Sequence, residues 1–182
     1  MPGSNRSWRT ELIGTYPDLF HPPADNPGVA QAYPECGEGW CDLLDRLCVR
    51  IRAAVQADGG TFKFTQVKEK FATIRIYWDG RLSPDAAALV KEAIALAEAR
   101  SACTCEECGE LGRLYQSGNW LMTRCAAHAK GLPVDTRPGM ENIHIVRRLA
   151  ASQVQLLSCR RYDRQSDAFT DVDPTSLGIE ED

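Results

Sequence analysis

At 182 residues with 43% hydrophobic content, the chain is long enough to bury one sizeable core, and typical domain sizes favour one compact body with extensions over two domains. A formal net charge of -4 excludes a global basic field, so any attraction to nucleic acid must come from a local patch. No run approaches the roughly 18 apolar residues of a membrane helix. The opening residues MPGSNRSWRTELIG also lack the apolar stretch of a secretory signal, and a cytoplasmic setting is expected.

Residues 9–20 predict a short helix that runs into HPPADNPG, where Pro22, Pro23 and Pro27 exclude regular helix and imply a loop laid over the body. The next stretch places Trp40, Leu43, Leu44, Leu47, Cys48, Ile51, Ala54 and Val55 at steps of three and four, opposite Asp42, Asp45, Arg46 and Arg50. This is the strongest amphipathic helix of the chain, and Gly59 and Gly60 stop it. Residues 61–78 are rich in aromatic and β-branched types, and Ala72, Ile74, Ile76 and Trp78 alternate with Thr73, Arg75 and Tyr77. They predict two antiparallel strands turning near Glu69 and Lys70. Ser83 as N-cap and Pro84 at the first helical position open a second helix to about Arg100, with Leu89, Val90, Ala93, Ile94 and Ala97 inward. The expected fold class is therefore α+β: a helix–hairpin–helix body over residues 1–102, its helices packed on one face of the small sheet because neither element buries its apolar face alone.

Eight cysteines without an export signal point to metal rather than a disulfide framework, because ligand-type residues crowd between Cys103 and His128. Cys36, Cys41, Cys48 and Cys159 lie outside that crowd and read as structural thiols. Cys105-Glu-Glu-Cys108-Gly and, after an interval of sixteen residues, Cys125-Ala-Ala-His128 each offer two donors to one ion. Three thiolates and an imidazole match the tetrahedral preference of zinc, so Cys105, Cys108, Cys125 and His128 are the expected ligands of a structural Zn2+. Cys103 is the alternate ligand, through Cys103-x-Cys105. Gly109 suits a metal knuckle and residues 112–119 a short hairpin. The resulting module, 103–136, resembles a treble-clef finger, in which knuckle and hairpin lead into a helix whose first turn carries the last two ligands. Glu106 and Glu107 read as solvated acids on the knuckle. With four closed ligands and nothing completing a catalytic set, no enzymatic activity is expected.

Beyond the cysteines, Ile143, Val146, Leu149, Ala150, Val154 and Leu157 fit a further helix within 140–157. Residues 137–164 thus read as a basic helical extension carrying Arg137, Arg147, Arg148, Arg160, Arg161 and Arg164. Residues 165–182 hold six acids and no base and read as a flexible acidic tail. His21 and His144 read as surface or capping residues.

Three segments, Glu35-Cys-Gly-Glu-Gly-Trp40 with the following LLDRLC, VKEKFATIRIY at 67–77, and CEECG with GNWLMTRCAAH, resemble a loose family of small phage and prophage proteins. The resemblance covers about residues 16–130 and implies phage origin and bound zinc without supplying an activity. Members of that family usually have glycine where this chain has Ala72, a change a strand would tolerate. Two uses of the non-zinc motifs are open. Trp40 fixes the helix to the sheet, or Cys36, Trp40, Lys68, Lys70 and Arg75 line a groove for a partner. Lys68 and Lys70 share a strand face only if the turn falls later than residue 70. The expected function is a non-catalytic zinc protein that acts by binding a host or phage protein, with inhibition of a host defence system as one form. The alternative is a nucleic-acid binder using the arginines of 137–164, Arg147 and Arg148 among them.

Overall fold

The computed structural model describes residues 7–150 and 153–179, with the side chains of 148–150, 153–155 and 157 outside that description. The fold is α+β with three small antiparallel sheets. Helices α1 (Trp8–Thr15) and α2 (Pro17–Phe20) lead into the proline loop, and α3 (Cys41–Asp58) follows. Strands β1 (Thr61–Lys70) and β2 (Thr73–Arg81) form the first hairpin, and α4 (Pro84–Ser101) completes the body. Among the described residues no helix is long and apolar enough to cross a membrane.

The apolar stripe of α3 buries Leu43, Leu44, Leu47, Cys48, Ile51 and Ala54 against the inner face of the hairpin, where Phe62, Phe64, Val67 and Ile74 are likewise buried. Phe20 from α2 meets Phe64 at a ring-centroid distance of 4.8 Å. Gly59, at φ 69, caps α3 and donates its N–H to the Val55 carbonyl at 2.9 Å, the left-handed stop that glycine takes without steric cost. The Ser83 hydroxyl accepts from the Ala86 N–H at 3.2 Å, as the N-cap reading requires. Along α4, Val90, Ala93, Leu96 and Ala97 face the core, whereas Leu89 is 60% exposed. The helical step of about 100° that turns Val90 inward leaves its neighbour outward.

The hairpin turns at Phe71 and Ala72, two residues later than expected. Both have positive φ, 55 and 66, the two-residue turn whose twist matches its strands. Ala72 is therefore a left-handed turn residue rather than a strand residue, and the physical preference for glycine there is conformational. Its N–H is held by Glu69 Oε1 at 2.6 Å.

In place of the helix expected within 137–164, β6 (Ile143–Ala150) pairs antiparallel with β7 (Gln153–Asp163). A register shift leaves an extra residue, Leu157, on β7 between the pairs Val146–Ser158 and Arg147–Leu156, and the apolar residues at steps of three and four that imitate a helix run across both strands. Nor is the acidic segment a free tail over its described part, 165–179. Strand β8 (Ala168–Asp171) extends the sheet, and a 3-10 turn at Pro174–Leu177 follows. Asp167 is 7% exposed and Ile179 is 8% exposed. Asp167 receives Arg50 at 2.9 Å, Arg46 at 3.5 Å and Arg100 at 3.7 Å, and accepts the Tyr162 hydroxyl at 2.5 Å. The last three acids of that segment lie outside the described residues.

Candidate metal centre and the surfaces around it

Two turns and a hairpin build the cysteine cluster. Cys105 and Cys108 lie in the turn after α4, closed by the Gly109 N–H donating to the Cys105 carbonyl at 2.8 Å. Strands β3 (Arg113–Ser117) and β4 (Trp120–Arg124) pair antiparallel and return the chain to a second turn. There the His128 N–H donates to the Cys125 carbonyl at 3.1 Å. A short strand β5 (Leu132–Pro133) then pairs with β3. Knuckle and hairpin thus form as expected, but no helix carries the last two ligands. Gly131 at φ 86 and Pro133 follow too soon for a helix to nucleate.

The ligand atoms of Cys105, Cys108, Cys125 and His128 all lie within 4.8 Å of one another, and together they could hold a metal ion. The Sγ atoms of Cys108 and Cys125 are 3.7 Å apart. His128 presents Nδ1, 3.8 Å from Cys105 Sγ and 3.3 Å from Cys125 Sγ. Burial opposes ionisation of the Cys105 thiol, but the backbone N–H groups of Cys125, Cys108 and Glu107 outweigh it and bring that thiol down to about 6. At Cys108 the Glu110 N–H favours the thiolate, yet desolvation and the sulfurs of Cys105 and Cys125 push the thiol up. Thiolates crowded this way oppose one another until a cation joins them.

Cys103 stands outside the cluster. It is buried among Leu96, Ala99 and Tyr162, and its thiol donates to the Arg100 carbonyl at 3.4 Å. The α4 C-terminus turns its side chain into the core, so it is a packing residue and not an alternate ligand. Cys36, Cys48 and Cys159 are also buried, while Cys41 is exposed at the start of α3. Burial pushes the Cys36 thiol up to about 12.

The loop at 35–40 is the socket for the knuckle. Gly39 donates its N–H to the Glu106 carbonyl at 2.8 Å, and the Gly37 N–H meets Glu106 Oε1 at 2.8 Å. A Cβ on Gly39 would lie 2.2 Å from the Cys105 carbonyl oxygen, and one on Gly37 would lie 2.3 Å from that of Glu106. Only glycine permits this approach. Trp40 is completely buried, its Nε1–H donating to the Thr104 carbonyl at 2.9 Å. It is an internal anchor joining α3 to the knuckle, which removes it from any partner-binding groove, and buried Cys36 leaves with it. On the other side of the knuckle, the Thr123 hydroxyl donates to the Ala72 carbonyl at 2.7 Å. Glu106 is not a solvated acid: it pairs with Arg124 at 2.7 Å with both side chains largely buried, and Glu107 meets the same guanidinium at 3.2 Å. Sequence reasoning missed this pairing, although its signal was present in an acid just after the first ligand and a base just before the third.

Lys68 and Lys70 do share one strand face, since the turn falls after residue 70, and Arg75 stands directly across from Lys68. Arg75 also approaches Glu98 on α4 at 3.6 Å. Most arginines of the C-terminal sheet are engaged internally. Arg160 grips Glu92 with Nη1 at 2.8 Å from each carboxylate oxygen. Arg161 donates to the Gly139 carbonyl and Arg164 to that of Gly109, both at 2.8 Å, and Arg137 binds the Leu177 carbonyl. Arg147 is exposed, and the Arg148 side chain lies outside the described residues. His21 closes α2 at φ 46 and donates Nε2–H to the Phe62 carbonyl at 3.0 Å, a capping role. His144 lies on β6 against Phe169, its basicity lowered by burial and by nearby Arg160.

Comparison of the chain with protein-family models, curated proteins and solved structures gives no match.

Proposed function

We propose that the cluster holds one structural zinc ion and that the chain is a non-catalytic binding protein. The observation that carries this reading is the convergence of three Sγ atoms and one Nδ1 within 4.8 Å. Zinc–sulfur bonds of about 2.3 Å and zinc–nitrogen bonds of about 2.0–2.1 Å set tetrahedral edges of roughly 3.8 and 3.5 Å. The separations of 3.7, 3.8 and 3.3 Å fall around those values. A mainly thiolate set favours zinc over the hard cations magnesium and calcium. Four protein donors leave no coordination position for the water that a catalytic zinc must carry. The carboxylates between the first two ligands, Glu106 and Glu107, are committed to Arg124 and do not serve as a base. Zinc supplies cross-linking: Cys105 and Cys108 hold one end of the hairpin, Cys125 and His128 the other. Elemental analysis of the full chain, purified without added metal, tests the assignment. One zinc per chain is expected, and iron or metal-free folded protein would overturn it.

A further inference from the structure

We propose that the outer face of the β1–β2 hairpin binds single-stranded nucleic acid, with phosphates on Lys68 and Lys70 and bases stacked on Tyr77 and Phe71. This deepens the reading of the chain as a binding protein and rests on it. Register places Gln66 opposite Tyr77, Lys68 opposite Arg75 and Lys70 opposite Thr73. Paired residues point to one side of a sheet, so these six share the face opposite Val67 and Ile74.

The face is unlike the rest of an acidic protein. Among the described residues Lys63, Lys68 and Lys70 form no ion pair, although Asp79 stands opposite Lys63. Glu35 joins the β1 edge beside Lys68, and Arg75 is shared with Glu98. Lys68 and Lys70 therefore supply the free positive charge. Residues two apart on a strand are spaced by about 6.6 Å, a scale on which an extended nucleotide chain repeats its phosphates. Aromatic rings flank the two lysines. Tyr77 is 47% exposed and Phe71 is 67% exposed, with Lys68 Nζ 5.7 Å from the Tyr77 ring and Lys70 Nζ 5.2 Å from the Phe71 ring. Cations alone would suit any polyanion; cations interleaved with exposed flat rings suit one that carries bases.

Phe71 adds a separate argument. A bulky side chain at φ 55 holds a backbone conformation that glycine or asparagine would hold more cheaply. Its ring gains little burial in return. A residue costly in both conformation and exposure is explained by contact with something outside the chain.

Fluorescence anisotropy of the full chain with labelled single-stranded DNA and RNA of about 15 nucleotides tests the proposal, at salt from about 50 to 200 mM. Binding that weakens with salt is expected. The double variant Lys68→Ala/Lys70→Ala removes two phosphate contacts and should reduce the log–log salt slope by about 1.4. Tyr77→Ala should weaken binding about 5- to 150-fold. Phe71→Gly should weaken binding while raising thermal stability, a pair of changes that a purely structural role cannot produce. Absence of binding at about 50 mM salt would overturn the proposal, as would an unchanged slope in the lysine variant. A third overturning result is displacement by poly-glutamate as effective as by unlabelled oligonucleotide with Tyr77→Ala neutral, which would assign the face to an acidic protein partner. Zinc content measured on the same samples separates the two proposals, since full zinc without binding sinks only this one.

Discussion

The knuckle and the C-terminal sheet are both docked onto the same helical body, yet opposite physics holds them there. The knuckle is seated by backbone against backbone, with Gly37 and Gly39 letting the loop touch Cys105 and Glu106 and a four-donor cluster closing the turn pair. The sheet of β6, β7 and β8 packs Tyr162 against Leu96, Ala99 and Cys103 and surrounds that small apolar contact with long charged side chains: Asp167 receives Arg46, Arg50 and Arg100, and Arg160 crosses to Glu92. A staple and a close steric fit tolerate acid and salt according to ligand chemistry, whereas a charge network depends on every partner keeping its proton state. Two additions to one core can therefore fail under different conditions.

Breaking the staple should have the largest effect. Structural zinc of this class contributes on the order of 10 kcal/mol to folding. Cys108→Ser or Cys125→Ser should lose the metal and unfold the segment from the knuckle through β4. Retention of full metal content and unchanged melting in either variant would show the ligand set to be wrong. Next comes Asp167→Asn, which removes the charge that Arg50 and Arg46 share while Arg100 keeps Asp42 at 3.1 Å, and which should cost about 1.5–3 kcal/mol. Hydrogen exchange should then rise in β7 and β8 with metal content unchanged, and a parallel loss of metal would abolish the contrast between the two regions. The same contact predicts an acid response. Burial opposes ionisation of Asp167, but the Tyr162 hydroxyl and the Arg50 and Arg100 charges outweigh it and lower its pKa. Its contribution is complete above the ordinary aspartate value of about 3.9 and is lost as pH falls through the lower folded value. In an acid titration Asp167→Asn should flatten that step, and an identical profile would refute the assignment. Smaller again is Trp40→Phe, which leaves the Thr104 carbonyl unpaired in the interior. We expect about 1–3 kcal/mol, visible in urea midpoints. Smallest is Ala72→Gly, stabilising by up to about 1 kcal/mol through relief at φ 66; a drop in melting temperature would contradict it.

What was legible in the sequence was local. The apolar spacing of α3, the Ser83–Pro84 start of α4 and the two ligand pairs each express themselves within a few residues, where periodicity and turn chemistry act. The first hairpin was legible in type but not in register, because Phe71 is not a residue that announces a left-handed turn. The role of Trp40 depends on Thr104, 64 positions away, and that of Asp167 on Arg50, 117 positions away. No window of sequence contains either pair. The C-terminal strands are not legible locally because their apolar residues keep a helical rhythm across β6 and β7, and the acids after residue 165 look solvated because their partners are distant. Among the site residues, the four ligands converge as their spacing implied, while Cys103 and Trp40 turned inward through tertiary packing.

The socket for the knuckle has a consequence for how the chain matures. Gly37 and the Glu106 carboxylate that receives its N–H are 69 positions apart, so the loop leaves the ribosome well before its counterpart exists. Helix α3 and the β1–β2 hairpin can assemble meanwhile, but the loop that opens α3 stays unmatched until residues 105–128 are made and closed. The last step of folding at the amino-terminal half is thus set by the closing of residues 105–128, more than 60 positions further along the chain.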